Sequence, residues 1–457
     1  MDKQKALAYA QLHYNDFLSE LTQFLRIDSV SSDPGQTEKI HLAADWLANK
    51  LTAIGMADVA IMPTTLHPIV YGKFGEDPEK PTVLIYGHYD VQPEDPIGLW
   101  ESKPYQATIR GNRLYARGAT DMKGQVIAGL AAIESILNTD QDLPVNLKFI
   151  YEGEEEIGSP SIRTFLESHK NLFHADVVLN LDAGIINAET PSITTVLRGL
   201  AYFELTLHGP AHDLHSGVFG GVVNNPAQAL STLIAGMKDQ DFHISLPGFY
   251  DDVIPLTPED RRELAKMPQT EETYLQQTGA PALAGELGFT PVEQCTARPT
   301  LDVHGLISGF TGEGAKTVIP AWAKAKLSMR LVPNQDPEVV ADQLRQYLTE
   351  QAPASIRWEL KTFHGGKPAF CDPDTAATKA FRQALTEIWG REPILKREGG
   401  SIPIVTEMKD ILGIDSVLTG FALPEDNMHA PNESLNLDVW KKGILSVIQF
   451  FYNYPQN

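Results

Sequence analysis

The sequence predicts an α/β fold: a mainly parallel sheet with helices on both faces, interrupted by a second domain of α+β texture. Three observations carry that prediction. At 457 residues the chain is too long for one ordinary hydrophobic core, so two domains are expected. From residue 37 to residue 196 short apolar runs alternate with helical stretches, the pattern of strands joined by crossover helices. Beyond residue 196 the strands become alternately apolar and polar, and the α/β texture returns after residue 364. The expected boundaries are 1–196 and 365–457 for the two parts of the sheet domain, and 197–364 for the insert.

Taken in order, MDKQKALAYAQLHYNDFLSEL reads as an amphipathic helix without the continuous apolar core of a secretion signal. TEKIHLAADWLANKLTAIG is helical and closes on Gly55. Strands follow at VAIMP, PIVYGKFG and TVLIYGHYD. Gly124 opens the helix QVIAGLAAIESIL, VNLKFIY is a strand, SIRTFLESHKNLF a helix and ADVVLNLD a strand. In the insert, RGLAYFELTLHG and AWAKAKLSMRLVP alternate as half-exposed strands. Between them lie the helical segment NPAQALSTLIAGMK and a long irregular stretch with many Pro and Gly. The helix DPEVVADQLRQYLTE and the strand SIRWELKTF complete the insert. DTAATKAFRQALTEIWG, SIPIVTEMKDILG and SVLTGF resume the sheet domain, and no internal repeat is present.

Lys and Arg number 37 against 59 Asp and Glu, a net charge of −22 that repels phosphate backbones and anionic lipid. Nucleic acid and membrane surfaces are therefore excluded as expected partners. The two cysteines, Cys295 and Cys371, form no CxxC and cannot build a disulfide framework, which points to reduced thiols in the cytoplasm. The longest apolar-leaning run, VIAGLAAIESIL at 126–137, is too short to span a bilayer and carries Glu134.

Acidic and imidazole groups recur just after the buried strands. His88 and Asp90 follow TVLIYG, Asp121 sits in RLYARGATDMKG, and Glu152, Glu154, Glu155 and Glu156 follow VNLKFIY. Asp182 ends VVLNLD, and His429 lies in the loop after SVLTGF. In a parallel sheet the loops at the strands' carboxyl ends share one edge, where ligands gather. Crowded carboxylates repel one another, and a pair of divalent cations relieves that repulsion. Nitrogen and oxygen donors without cysteine suit catalytic zinc, with manganese or cobalt as substitutes. Each residue taken singly is ordinary; their joint recurrence after apolar strands is not.

The ordered set GHYDVQP, GATDMKG, EGEEEIGS, the Asp of LNLDAG, DLHSGVFGG, RLVPN, EGGSIP and the His of NMHAPNE resembles the di-zinc aminoacylase/carnosine-dipeptidase family of metallopeptidases. The resemblance runs from about residue 80 to residue 435, and DLHSGVFGG and EGGSIP look closest to its dipeptidase branch. It implies a zinc-exopeptidase-like catalytic domain with an inserted lid and dimerisation domain, working as a homodimer. It implies that His88 and Asp182 hold one zinc ion, Glu156 and His429 the other, and that Asp121 bridges them and precedes a cis peptide to Met122. Asp90 then orients the His88 imidazole, Glu155 is the general base, and Glu152 and Glu154 are not ligands. His215 would donate to the oxyanion in the other subunit's site, and Arg330 would grip the substrate carboxylate with Gly399, Gly400, Ser401 and His364. Where dipeptidases of the family often carry a polar or aromatic residue after the metal-binding Asp, this chain has Ala183 and Gly184, which leaves Glu398 as the candidate acid for the substrate amine. The expected activity is hydrolysis of dipeptides or short peptides with a free carboxyl terminus. An N-acyl-amino-acid deacylase on the same metals is the nearest rival, and a catalytically inactive binding protein on this fold is the rival of another class.

Overall fold

The computed structural model describes residues 2–363, 365–400 and 402–456, so the candidates His364 and Ser401 lie outside the described residues. The chain forms two compact units. One comprises Met1–Thr195, Cys371–Lys396 and Pro403–Asn457, the other Val196–Phe370 and Arg397–Ile402. The segments 365–370 and Arg397–Ile402, expected in the sheet domain, thus cluster with the insert. The chain consequently crosses between the units after Thr195, Phe370, Lys396 and Ile402, where the sequence suggested two crossings.

The first unit is built on a sheet with strands in the order Ala57–Met62, Ile69–Phe74, Asn146–Glu152, Thr82–His88, Val177–Asn180, Ser416–Leu418 and Ser192–Leu197. The four from Asn146–Glu152 to Ser416–Leu418 run parallel, as the alternation of strands and helices requires. The pairings outside them are antiparallel. Thr82–His88 is buried at every position but its first, and Val177–Asn180 throughout, because helices cover both faces. The helix Lys123–Asp140 is buried along most of its length and packs against Leu437–Asn453, with Trp440 Nε1 donating to the Gly124 carbonyl at 2.7 Å. Phe17, Phe24, Leu47, Phe149, Phe381 and Trp440 belong to one continuous core.

The helix Leu437–Asn453 is absent from the sequence reading, and its burial explains why. Asp438, Lys441 and Lys442 mark a polar face only in its first half, and every residue from Ser446 to Asn453 is buried. The amino-terminal stretch forms two helices, Lys3–Leu12 and Tyr14–Phe24, interrupted at His13, whose ring stacks on Tyr9 and whose Nδ1 lies 2.8 Å from Asp16 Oδ2. No helix among the described residues is long and apolar enough to cross a membrane.

The second unit carries a four-stranded antiparallel sheet ordered Thr300–Ser308, Trp322–Leu331, Gly199–His208, Arg357–Thr362. Gly199–His208 alternates buried and half-buried residue by residue, and Ala201, Phe203, Leu205 and Leu207 face the helices Pro226–Gly236 and Pro337–Gln351. The stretch expected to be irregular contains the edge strand Thr300–Ser308 and three short helices. Each of these begins on a threonine whose side chain accepts a backbone N–H three residues on: Thr257, Thr270 and Thr290.

Candidate metal centre

His88 is the last residue of a central strand, and Asp182 lies two residues beyond another. Glu155 and Glu156 form the single turn that follows Asn146–Glu152, and His429 lies in the loop after Ser416–Leu418. Asp121 stands at the entry to the helix Lys123–Asp140, with a cis peptide to Met122. The parallel strands therefore deliver their side chains to one edge of the sheet.

There the side chains form two groups that share Asp121. His88 Nε2 lies 3.1 Å from Asp121 Oδ1 and 3.8 Å from Asp182 Oδ2. His429 Nε2 lies 2.9 Å from Asp121 Oδ2 and 3.2 Å from Glu156 Oε2. Within each group the donor atoms fall within 4.8 Å of one another. His88 Nδ1 lies 3.1 Å from the Asp90 carbonyl, to which it donates, so the lone pair of a neutral ring is at Nε2 and faces two carboxylates. Oxygen and nitrogen lone pairs so close need a cation or a shared proton between them.

Electrostatics makes the same demand. Burial pushes the Glu155 carboxyl well above its ordinary range; the charge of His88 opposes this, while Asp182, Asp121 and Glu156 reinforce it. Burial raises Asp182 and Glu156 as well. Burial also works to raise Asp121, but the two imidazoles outweigh it and hold that carboxyl below its usual range. His429 is lifted to about 10 by its hydrogen bonds to Asp121 and Glu156. Without metal, protons and imidazolium charge must balance these acids. Two imidazoles and three carboxylates, one of them shared, also fit a pair of divalent ions, and no thiol stands in either group.

Asp90 is buried beside this cluster, and its carboxylate lies against both His88 and Glu156. Oδ1 lies 3.4 Å from His88 Nδ1, while Oδ2 accepts the Glu156 N–H at 3.1 Å. Gln92, absent from the sequence reading, donates through Nε2 to Glu156 Oε2 at 2.9 Å and to the Glu156 carbonyl at 3.1 Å. Positions 88, 90 and 92 recur with the period of an extended chain, and that spacing was the available signal. Glu152 accepts the Tyr86 hydroxyl, and Glu154 accepts the His67 and Ser161 N–H groups, so both serve the local framework. After Asp182 the chain packs directly on residues 420–422. Gly184 bridges Ala422, whose carbonyl would stand 2.8 Å from an added Cβ.

The remaining candidates belong to the second unit. His215 is exposed at the end of a two-residue strand paired with Val318–Ile319, and its Nδ1 accepts the Gly217 N–H at 2.9 Å. A neutral ring in that state carries its proton on Nε2 and is a donor there. Arg330 sits on Trp322–Leu331 opposite Leu200 and Thr300, and lines a cavity of about 550 Å³ with Arg198, Asp302, His304 and Ser328. Glu398 ends the strand Ile394–Glu398, and its carbonyl accepts the Arg198 N–H at 3.2 Å.

Known proteins resemble this chain along nearly its whole length. It is 33% identical to the Cys-Gly metallodipeptidase of Schizosaccharomyces pombe over 450 residues, 94% of each chain. To the human Beta-Ala-His dipeptidase it is 31% identical over 470 residues, 99% of this chain and 93% of that one. An M20 family metallo-carboxypeptidase from Sulfolobus solfataricus superposes with a TM-score of 0.83 at 34% identity, covering 96% of this chain and 99% of the other. Residues 84–453, which include every side chain of the two shared groups, match the description Peptidase family M20/M25/M40, and the chain belongs to that family of metallopeptidases.

Proposed function

We propose that this chain is a dinuclear zinc dipeptidase that cleaves dipeptides or short peptides with a free carboxyl terminus. The observation that carries the reading is Asp121, whose two oxygens face the two imidazoles from opposite groups. His88 and Asp182 would hold one ion, Glu156 and His429 the other, and Asp121 both; manganese or cobalt suits the same donors. The Cys-Gly and Beta-Ala-His dipeptidases among its relatives support the substrate class.

Bound ions would supply Lewis acidity toward the scissile carbonyl and acidify the attacking water. The rest falls to the chain's own residues. Glu155, made a stronger base by burial and neighbouring charge, takes the proton from the water and returns it to the leaving amine. His215, with its Nε2 proton, donates to the oxyanion. Arg330 offers a planar fork to the substrate carboxylate, a task that Ser401 and His364 share in this assignment, and Glu398 serves the substrate amine. The working form is a homodimer.

The reading is tested with dipeptides of the Ala-Ala type and the corresponding N-acetylated amino acids, each with zinc, manganese and cobalt. Hydrolysis of the dipeptides, abolished by a chelator and restored by metal, is expected. Preferential turnover of the N-acetylated compounds establishes a deacylase instead, and metal binding without any hydrolysis establishes a binding protein.

A further inference from the structure

The loop that carries His429 also carries Glu433, a fully buried carboxylate with no place in the ligand set. Its partners all come from the segment that ends at Asp121. Oε1 accepts the N–H of Thr120 at 3.0 Å and of Asp121 at 3.1 Å. Oε2 accepts the N–H of Gly118 at 2.9 Å and Arg117 Nη1 at 2.7 Å. The Glu433 carbonyl adds a further bond, from the Ala116 N–H at 3.1 Å. Seven residues earlier the same loop makes a second attachment: Asp426 Oδ2 accepts the Thr120 hydroxyl at 2.8 Å and the Leu423 N–H at 2.7 Å.

Three backbone N–H groups and a guanidinium therefore converge on one carboxylate. An ionised carboxylate offers about four acceptor sites, all of which are used here. An amide cannot take its place. Whichever way a glutamine is turned, its NH2 group meets either the Thr120 and Asp121 donors or the Gly118 and Arg117 donors, and buried donors are left unpaired.

We infer that Glu433 is a positioning residue for the metal pair, tying the loop of His429 to the backbone of the shared ligand Asp121. The inference rests on the reading of Asp121 as the bridge. Because Asp121 faces both groups, a shift of its backbone weakens both ions together, although Glu433 itself is on the loop of only one terminal ligand. Outer partners of metal ligands typically control affinity by about 10–100-fold, and a loss of that size is expected at each site.

The test measures binding of zinc to wild type, Glu433→Gln and Glu433→Asp by competition with a chromophoric chelator, alongside melting temperatures with and without metal. The expected result for Glu433→Gln is weaker binding at both sites and a smaller rise in Tm on adding zinc. Glu433→Asp keeps the charge and is expected to recover part of both. A merely structural role lowers the metal-free and metal-loaded Tm equally and leaves affinity unchanged, and that result overturns the inference. So does a loss confined to one site. Should Glu433→Gln not fold, the Asp variant decides: wild-type affinity at both sites overturns the proposal, and a joint loss sustains it. If wild type itself binds fewer than two ions, the bridging assignment fails, and that failure is distinct from either outcome in the variants.

Discussion

At the scale of single residues, Glu155 and Glu156 are adjacent acids to which the proposed mechanism gives separate tasks. Glu156 stands 3.2 Å from His429 and is held by Gln92 and Asp90, the surroundings of a ligand. Glu155 takes its character from burial and surrounding charge. Glu155→Gln should keep both metals and the fold while losing roughly 10²–10⁴-fold in turnover, since only proton transfer is removed. Glu156→Gln should lower metal content, and elemental analysis beside kinetics separates the two; the reverse pattern means the roles are exchanged. The cysteines give a second residue-scale prediction. Burial, reinforced by Asp415 and opposed by Lys409, pushes the Cys371 thiol up to about 12, whereas Cys295 is partly exposed. One thiol should therefore label in the native protein near pH 8 and two after unfolding. Because the folded value lies above the unfolded one, the stability this thiol contributes is present below the ordinary thiol pKa and is lost as pH rises through about 12. The residues of the two groups could be picked out in the sequence because few residue types bind metal and most of these follow apolar strands. Gln92 and Glu433 were not, since an amide or an extra acid declares its role only through the groups that face it.

At the scale of elements, the same logic separates what could be read from what could not. Gly199–His208 has one face toward helices and one toward water, so its period of two is written in the sequence. Leu437–Asn453 carries its polar strip, Asp438, Lys441 and Lys442, only in its first half; from Ser446 to Asn453 every residue is buried and the period of 3.6 residues fades. The helix Lys123–Asp140 links element to site through its second residue. A Cβ on Gly124 would lie 2.1 Å from the Ala119 carbonyl and 2.9 Å from Leu435 Cδ2. Helix propensity favours alanine over glycine by up to about 1 kcal/mol, but an approach of that kind cannot be accommodated without moving the backbone. Gly124→Ala should therefore destabilise the protein, by about 1–3 kcal/mol if overpacking elsewhere is a guide. It should also reduce metal content, because Ala119 is two residues from Asp121. Urea unfolding with metal analysis checks both, and an alanine variant as stable and as metal-rich as wild type refutes the argument.

At the scale of the whole molecule, the oxyanion role proposed for His215 depends on the fold bringing it to the metal ligands. His215 belongs to the second unit, and every residue of the two metal groups belongs to the first. A two-fold pairing of insert domains would allow each protomer to lend His215 to its neighbour, giving two composite sites per dimer. On that arrangement His215→Ala should lose on the order of 10²–10³ in turnover with metal content unchanged, as expected for one oxyanion donor. Mixing two inactive variants then distinguishes action across the interface from action within a chain. In a heterodimer of His215→Ala and Glu155→Gln, the first protomer keeps Glu155 and receives an intact His215 from the second. The other site has neither. Random exchange makes half the dimers mixed, each with one good site of two, so activity should return to about a quarter of wild type. If histidine served its own chain, every site in every mixture would lack one group and no activity would return. Mass spectrometry of the exchanged dimers, run beside the assay, shows whether mixed species formed. Mixed dimers without recovered activity exclude the contribution in trans.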